Sequence, residues 1–301
     1  MRSNLFQTFI ASFSPLRNRN FAIYLSGQAV SLIGTWLQLT AQGWVVWTLT
    51  NSTASLGIVA MFGSLPLLLI GPWAGAWADR LDRRKLLIAT QTVAMSLAFT
   101  LALLVQTKAI QVWHVYALAL VLGIVTALDM PAQQAFLGDL AGMGEVRKAV
   151  NLNAMIIQAS RILGPAMAGF VIGALGAAAA FGLNGLSFLA VIASLIVVRA
   201  HQVRKPSSGK PLAEFASALR YVRTQPRLLD LLVFVTLMTF FGLSAINMFP
   251  AVASQVLHGD AQTLGLLMSA SGVGALVGVL FIVPFAQALR RAGLVVGSAL
   301  L

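Results

Sequence analysis

Long apolar runs separated by short polar segments dominate the hydropathy pattern of this chain. A helix crosses the hydrocarbon core of a bilayer with about 20 apolar residues, whereas a strand of a membrane barrel alternates over roughly ten. The runs here are too long and too continuous for barrel strands, so they predict membrane-spanning helices. We predict about eight complete spans, at residues 21–49, 56–77, 86–106, 112–128, 150–175, 177–198, 228–252 and 263–289. A ninth begins near residue 294 and reaches residue 301.

The longest polar stretch lies between the sixth and seventh spans, where residues 205–211 are rich in lysine, proline and serine and predict a linker. After it, Leu212, Phe215, Leu219 and Val222 recur at helical spacing, which predicts a short amphipathic helix on the membrane surface. We interpret this helix as a connector; a regulatory binding site is the alternative. The chain is therefore divided into a first six-helix transmembrane half at residues 1–198, a cytoplasmic linker at 199–227 and an incomplete second half at 228–301.

The composition supports a membrane protein and excludes several other classes. The chain is 58% hydrophobic and 9% charged, whereas soluble domains carry about 25% charged residues. It has no cysteine, so disulfides and thiolate metal sites are excluded. Its histidines, His114, His201 and His258, are far apart and show no metal-ligand spacing. We therefore expect no metal and no cofactor.

The formal net charge of +12 comes from lysines and arginines that lie between the apolar runs. This placement argues against nucleic-acid binding and follows the positive-inside rule. With the amino terminus in the cytoplasm, the outer loops hold only Lys108, and one cation, Arg161, falls inside a span. The remaining cations then lie on the cytoplasmic side: Arg2, Arg17, Arg19, Arg80, Arg83, Arg84, Lys85, Arg147, Lys148, Arg199, Arg204, Lys205, Lys210, Arg220, Arg223, Arg227, Arg290 and Arg291.

The loop after the second span carries a recognisable signature. Its spaced residues are Gly75, Asp79, Arg80, Arg83 and Arg84, with Asp82 before the last two arginines. They resemble G-x-x-x-D-R-x-G-R-R, the motif between helices two and three of the major facilitator superfamily, in which glycine usually stands at the position of Asp82. Physically, a glycine lets a neighbouring helix approach, and an aspartate can pair with arginines or cap a helix. The resemblance implies a conformational latch on the cytoplasmic side. The alternative is plain positive-inside topology, which needs only the arginines.

The fifth span carries a second motif, in which Gly164, Pro165 and Gly169 resemble the G-P-x-x-G-G antiporter signature of efflux members; Ala168 replaces one glycine. Proline bends a helix and small residues permit tight packing, which suits a helix that rocks against its neighbour. The alternative is an ordinary proline kink.

Residues 26–31 and 131–136 are similar to the branch that holds the enterobactin exporter and macrolide efflux proteins. The fourth span lacks the arginine that common drug–proton antiporters carry before a glycine, since Ala119 precedes Gly123 here. The resemblance implies an all-α integral membrane protein of the major-facilitator fold in a bacterial cytoplasmic membrane, with a complete six-helix first half and about two and a half helices of the second.

Few polar groups lie at mid-membrane depth, where transporters hold their substrates. Gln38 and Gln42 share one face of the first span, and Gln158 lies near Arg161 in the fifth. We take these four residues as substrate-cavity candidates. The alternatives are interhelical hydrogen bonds for the glutamines and, for Arg161, a structural pair with a helix end or with an aspartate such as Asp129.

These features predict a secondary active transporter that exports a small drug-like or siderophore-like molecule by alternating access, with protons as the coupling ion. The alternatives are an uptake symporter of the same fold, or a non-functional fragment. A membrane-embedded enzyme would need clustered acids, histidines or cysteines at membrane depth, and the sequence has none. Because the second half is incomplete, we expect residues 1–301 alone to insert but not to transport unless a second polypeptide supplies the rest.

Overall fold

The computed structural model describes residues 13–142, 144–198, 217 and 220–288. The predicted linker at 205–211, most of the amphipathic helix and the ninth span lie outside these described residues. Helices account for nearly all of what is described. They are α1 (Arg19–Thr50), α2 (Thr53–Arg80), α3 (Arg83–Gln106), α4 (Val112–Ala141), α5 (Val146–Leu175), α6 (Ala177–Val197), α7 (Pro226–Asn247) and α8 (Ala261–Ala288).

The helix boundaries follow local chemistry at their ends. A 3₁₀ turn, Ser14–Arg17, leads into α1, whose amino end is capped by the Asn18 side chain. Ser52 caps α2 and Asp82 caps α3 in the same way. α4 continues to Ala141, 13 residues beyond the predicted end at 128, because the apolar run stops while the helical periodicity does not. After α7 the chain continues through a short α-helical turn, Phe249–Ala251, and a π-helical turn, Val252–Val256.

Seven helices of the described chain are long and apolar enough to cross a membrane, one fewer than the eight predicted. α1 is the exception, although its 32 residues give it a length of about 48 Å. Its mean hydropathy is lowered by polar side chains that are buried inside the bundle: Gln28, Ser31, Gln38, Thr40 and Gln42. α1 nevertheless packs along α5 and α6, which are long and apolar enough to cross a membrane. It therefore lies in the same layer as the spanning helices.

The first six helices form one bundle in which α1 packs on α5 and α6, α2 on α4, and α3 on α4 and α6. One buried cluster fills one end of this bundle around Phe21, Tyr24 and Phe136. A second fills the other end around Leu37, Trp47 and Phe181. α8 packs chiefly against α5, with smaller contacts of α8 on α1 and of α7 on α2.

One end of the bundle gathers the cations. There the Asn18 side chain donates to the carbonyl of Leu140 at 2.9 Å, and Lys148 Nζ donates to Ser14 Oγ at 2.9 Å. Glu145 accepts from the same Ser14 hydroxyl and from Lys148, and these two contacts hold the pKa of its carboxyl below the usual range. This is the end that the positive-inside rule assigns to the cytoplasm.

Candidate transport site and cytoplasmic latch

The arginines of the loop signature fasten helix ends to one another. Arg83, in the first turn of α3, donates from Nη1 to both carboxylate oxygens of Asp139 at 3.0 and 2.8 Å. The two side chains are only 8% and 10% exposed. A buried ion pair of this kind is costly to break from one side, because the remaining charge stays buried. The pair therefore fixes the start of α3 against the end of α4.

Arg84 also lies in the first turn of α3, but it contacts α6. Its Nε donates to the carbonyl of Leu195 and its Nη2 to the carbonyl of Ile196. These carbonyls belong to the last turn of α6, where they have no intrahelical partner and where the helix dipole favours a positive charge. Arg80 is exposed. Asp82, which replaces the family's glycine, accepts from the backbone N–H of Lys85 at 3.1 Å and so caps α3.

In the described part of the chain, no neighbouring helix lies close to Gly75, so its expected role in close helix packing stays a prediction. Among the described residues, no atom lies within 4 Å of the position that a Cβ would take at Gly75. The reason is that α2 packs on α4 along another face, where a Cβ at Gly123 of α4 would lie 2.6 Å from the Gly63 carbonyl oxygen of α2. The side chain of Asp79 lies outside what the structure describes, so its role remains a prediction.

The α5 motif makes close contacts on two sides. A Cβ at Gly164 would lie 2.9 Å from the carbonyl oxygen of Ile33 and closer still to the Cβ of Trp36, both on α1. A Cβ at Gly169 would lie 3.0 Å from the Cα of Gln262 on α8. Pro165 is buried between these two glycines. The motif thus lies where α5 is in contact with both α1 and α8.

α8 meets α5 with small residues of its own. A Cβ at Gly265 would lie 2.6 Å from the Pro165 carbonyl oxygen, and one at Gly272 would lie 3.1 Å from the Arg161 carbonyl oxygen. Ser269 Oγ donates to the carbonyl of Ile162 at 2.9 Å. Close backbone approach through small residues is the usual way in which membrane helices pack. We call this α5–α8 contact the seam.

The four substrate-cavity candidates occupy different places. Gln38 is buried, and its Oε1 accepts from Asn184 Nδ2 of α6 at 2.6 Å. This is an interhelical hydrogen bond, the alternative to substrate contact. Gln42 is also buried. Gln158 and Arg161 are half-buried on α5. The Arg161 guanidinium lies 5.8 Å from the ring centroid of Trp36, a cation–π distance.

Helical geometry places Arg161 on the inner side of α5. At 100° per residue, it lies about 60° from Gly164, which faces α1, in the direction of Gly169, which faces α8. Leu163 and Phe170 lie on the opposite side and are 50% and 69% exposed. The structure does not pair Arg161 with Asp129, because the carboxylate of Asp129 has other partners.

Asp129 is part of a polar cluster that the sequence did not reveal as a unit. Its oxygens accept from Thr90 Oγ1, from Gln91 Nε2 at 3.1 and 3.2 Å, and from Gln133 Nε2 at 2.5 Å. Gln133 Oε1 in turn accepts from Gln28 Nε2 of α1 at 3.1 Å. The cluster joins α1, α3 and α4. A lone carboxylate inside an apolar run was the signal that could have identified it.

The described residues contain no group of three or more histidine and acidic side chains arranged to hold a metal ion. The helix contacts are those of a polytopic bundle with a small-residue seam and an inner polar face. Bundles of this kind are typical of secondary transporters.

Comparison with known proteins identifies the family. A model of the transmembrane secretion effector family matches residues 10–301. The chain belongs to this family of the major facilitator superfamily, whose members are transporters rather than enzymes.

Its curated relatives are bacterial transporters. The chain is 25% identical over 260 residues to the staphyloferrin A transporter of Staphylococcus aureus, covering 85% of this chain and 65% of that protein. It is 26% identical to macrolide efflux protein A of Streptococcus pyogenes, covering 91% of this chain and 68% of that protein. It is 27% identical to the multidrug efflux pump Tap of Mycolicibacterium fortuitum, covering 82% and 62%.

A solved structure shares the fold. A bacterial homologue of the human lysosomal transporter Spinster, crystallised in an inward-facing and unoccupied conformation, matches with a TM-score of 0.69 at 16% identity. The match covers 91% of this chain and 64% of that one. The chain thus has the major-facilitator fold and spans just under two thirds of the length of the staphyloferrin A transporter and of this solved structure.

Proposed function

We propose that this protein exports a small organic molecule across a bacterial cytoplasmic membrane by alternating access, with its amino terminus in the cytoplasm and protons as the coupling ion. The observation that carries the proposal is the position of Arg161 beside Trp36, between the faces of α5 that meet α1 and α8. A charged side chain in a spanning helix is energetically costly unless it contacts water, an opposite charge or a substrate. The two relatives named for efflux, of macrolides and of multiple drugs, support the direction of transport, and the staphyloferrin A transporter supports a small organic substrate.

The seam is the proposed pivot. Because α5 and α8 contact each other through backbone and small side chains, they can rotate without large side chains having to interdigitate. Arg161, Gln158 and Gln42 are the proposed substrate contacts. Gln38 is a weaker candidate, since its amide oxygen already accepts from Asn184.

The loop signature is the proposed latch. The open space beside Gly75 is what an inward-facing state would show, with the cytoplasmic ends of the two halves apart, and the related solved structure is inward-facing. In the outward-facing state Gly75 and Asp79 would then meet the second half. An Asp79→Asn variant should insert normally and transport more slowly; normal export by that variant would remove Asp79 from the mechanism.

The test is export from cells and uptake into everted vesicles, with the protein expressed from its own gene in an efflux-deficient bacterial strain. Siderophores and macrolides serve as the panel, and amino-terminal reporter fusions check the topology. Arg161→Gln should abolish transport of at least one substrate, whereas Arg147→Gln, an exposed cation on the same helix, should not. Accumulation inside intact cells would indicate uptake and contradict export. Expression of residues 1–301 alone, in parallel, shows whether this stretch transports by itself.

A further inference from the structure

Among the described residues, the Asp129 cluster has neutral hydrogen-bond donors and no positive partner. In the described part of the chain, no lysine, arginine or histidine pairs with this carboxylate. It is 9% exposed and lies 10 residues, or about 15 Å, before Asp139 at the cytoplasmic end of α4. Asp139 is the matched contrast, because its charge is neutralised by Arg83.

The groups that face Asp129 come from three helices. α1 contributes Gln28 and the buried phenol of Tyr24, which is near enough to interact electrostatically with the carboxylate. α3 contributes Thr90 and Gln91, and α4 itself contributes Gln133.

The charged side chains of the other packed segments have different positions. Arg83 of α3 is bound to Asp139, Arg161 of α5 lies over Trp36, and Arg80 of α2 is exposed. The Asp79 side chain is not described. The tyrosine is thus the second titratable group that faces the cluster among the described residues.

The Thr90 hydroxyl has one proton and two acceptors. Its Oγ1 lies 3.0 Å from the carbonyl oxygen of Leu87 and within hydrogen-bond distance of Asp129 Oδ1. When Asp129 is ionised, Thr90 donates to it. When Asp129 is protonated, the carboxylic acid donates to Thr90, and Thr90 turns its proton to Leu87. Asp129 and Thr90 can therefore form their mutual hydrogen bond in either protonation state without any movement of non-hydrogen atoms.

Two further acceptors lie in the same cluster, and no described residue donates to them. The amide oxygens Oε1 of Gln28 and Gln91 are buried and have no hydrogen-bond partner among the described residues. A buried acceptor without a donor is destabilising. These oxygens can accept from a water molecule that brings a proton to the carboxylate.

We propose that Asp129 is the residue that binds and releases the coupling proton. This inference rests on the proposed function, since it names the ion site of that exporter. The carboxylate takes a proton from hydronium to give the neutral acid and water, and later returns it to water on the cytoplasmic side. No oxidant or other co-reactant is needed. The Thr90 hydroxyl rotates between the two states.

The first test observes the proton directly and does not depend on transport. The full chain is reconstituted in lipid vesicles, and infrared difference spectra are recorded during a pH titration to detect the carbonyl stretch of a protonated carboxylic acid. We expect a titrating band that is lost in Asp129→Asn and retained in Asp139→Asn. Retention of the band in Asp129→Asn, or its absence from the wild type, would overturn the proposal.

A second variant covers the case in which Asp129→Asn does not fold. Thr90→Val removes the hydroxyl but keeps the side-chain volume, so it should shift the midpoint of the Asp129 band. An unchanged midpoint would contradict the role of the hydroxyl in the switch.

A transport assay distinguishes failure of this inference from failure of the proposed function. In everted vesicles, Asp129→Asn should lose the acceleration that an imposed pH gradient gives to the wild type, while substrate exchange without a gradient continues. If the wild type transports nothing, the proposed function fails, and the infrared titration still decides whether Asp129 carries a proton. If Asp129→Asn still responds to the gradient, the proton site lies elsewhere.

Discussion

The α5 motif and the α2–α3 signature stabilise contacts between helices by different physical means. In α5, Gly164 and Gly169 let two helix backbones come within contact distance. In the signature, the glycine has open space beside it, and the contacts are made by Arg83 and Arg84 through charge and hydrogen bonds. The first kind of contact depends on shape and is insensitive to charge. The second tolerates changes of shape but not the loss of one charged partner.

The largest expected effect is that of breaking the ion pair from one side. Asp139→Asn removes the carboxylate from the buried Arg83–Asp139 pair, and removing one partner of a buried pair costs about 3–5 kcal/mol. Unfolding of the purified chain in detergent, followed by circular dichroism, measures the loss. The double variant Arg83→Gln/Asp139→Asn should be more stable than Asp139→Asn. If the losses of unfolding free energy in Arg83→Gln and in Asp139→Asn add up to the loss in the double variant, the two side chains are not energetically coupled.

The next effect concerns the shape-dependent contact. Gly164→Ala places a methyl group 2.9 Å from the Ile33 carbonyl oxygen and against Trp36. Overpacking of this kind costs about 1–3 kcal/mol. The same unfolding assay applies, and Gly57→Ala is the matched control because no described atom lies within 4 Å of its Cβ position. Equal stability of the two variants would show that α1 and α5 separate easily.

A smaller effect is expected at the signature glycine. Because the space beside Gly75 is open, Gly75→Ala should change the unfolding free energy by no more than about 0.5 kcal/mol, the usual range for surface changes. Export should nevertheless slow if α2 meets the second half in the outward-facing state. A destabilisation as large as that of Gly164→Ala would show that Gly75 is already in contact.

The smallest effect concerns the start of α8 at the seam. The backbone N–H groups of Thr263 and Gln262, at 3.1 and 2.9 Å, hold the pKa of Asp260 below its ordinary value of 3.8. A lowered pKa means that the stabilisation is complete above pH 3.8 and is lost as the pH falls through the lowered value. Melting temperature against pH should show this loss in the wild type. Asp260→Asn also caps a helix but does not titrate, so its profile should be flatter over that range.

The sequence predicted the helices well because each apolar run is long and ends at polar or turn residues. It missed the length of α4, since residues 129–141 are helical without being continuously apolar. It also predicted the motif residues but not their partners. Arg83 and Asp139 are 56 residues apart, and Gln38 and Asn184 are 146 apart. Such pairs are decided by which helix faces meet, and helical periodicity within one segment carries no information about the facing segment.

The contact between Arg84 and the end of α6 has a consequence for biosynthesis. Arg84 leaves the ribosome 111 residues before Leu195, whose carbonyl it binds. During that interval the guanidinium has no α6 carbonyl to bind, and the start of α3 depends on the Arg83–Asp139 pair with α4. When α6 is released from the translocon, its carbonyl end takes over the guanidinium. The contact of Arg84 with α6 can therefore form only after α6 has been synthesised, which makes it one of the last contacts to join the first half.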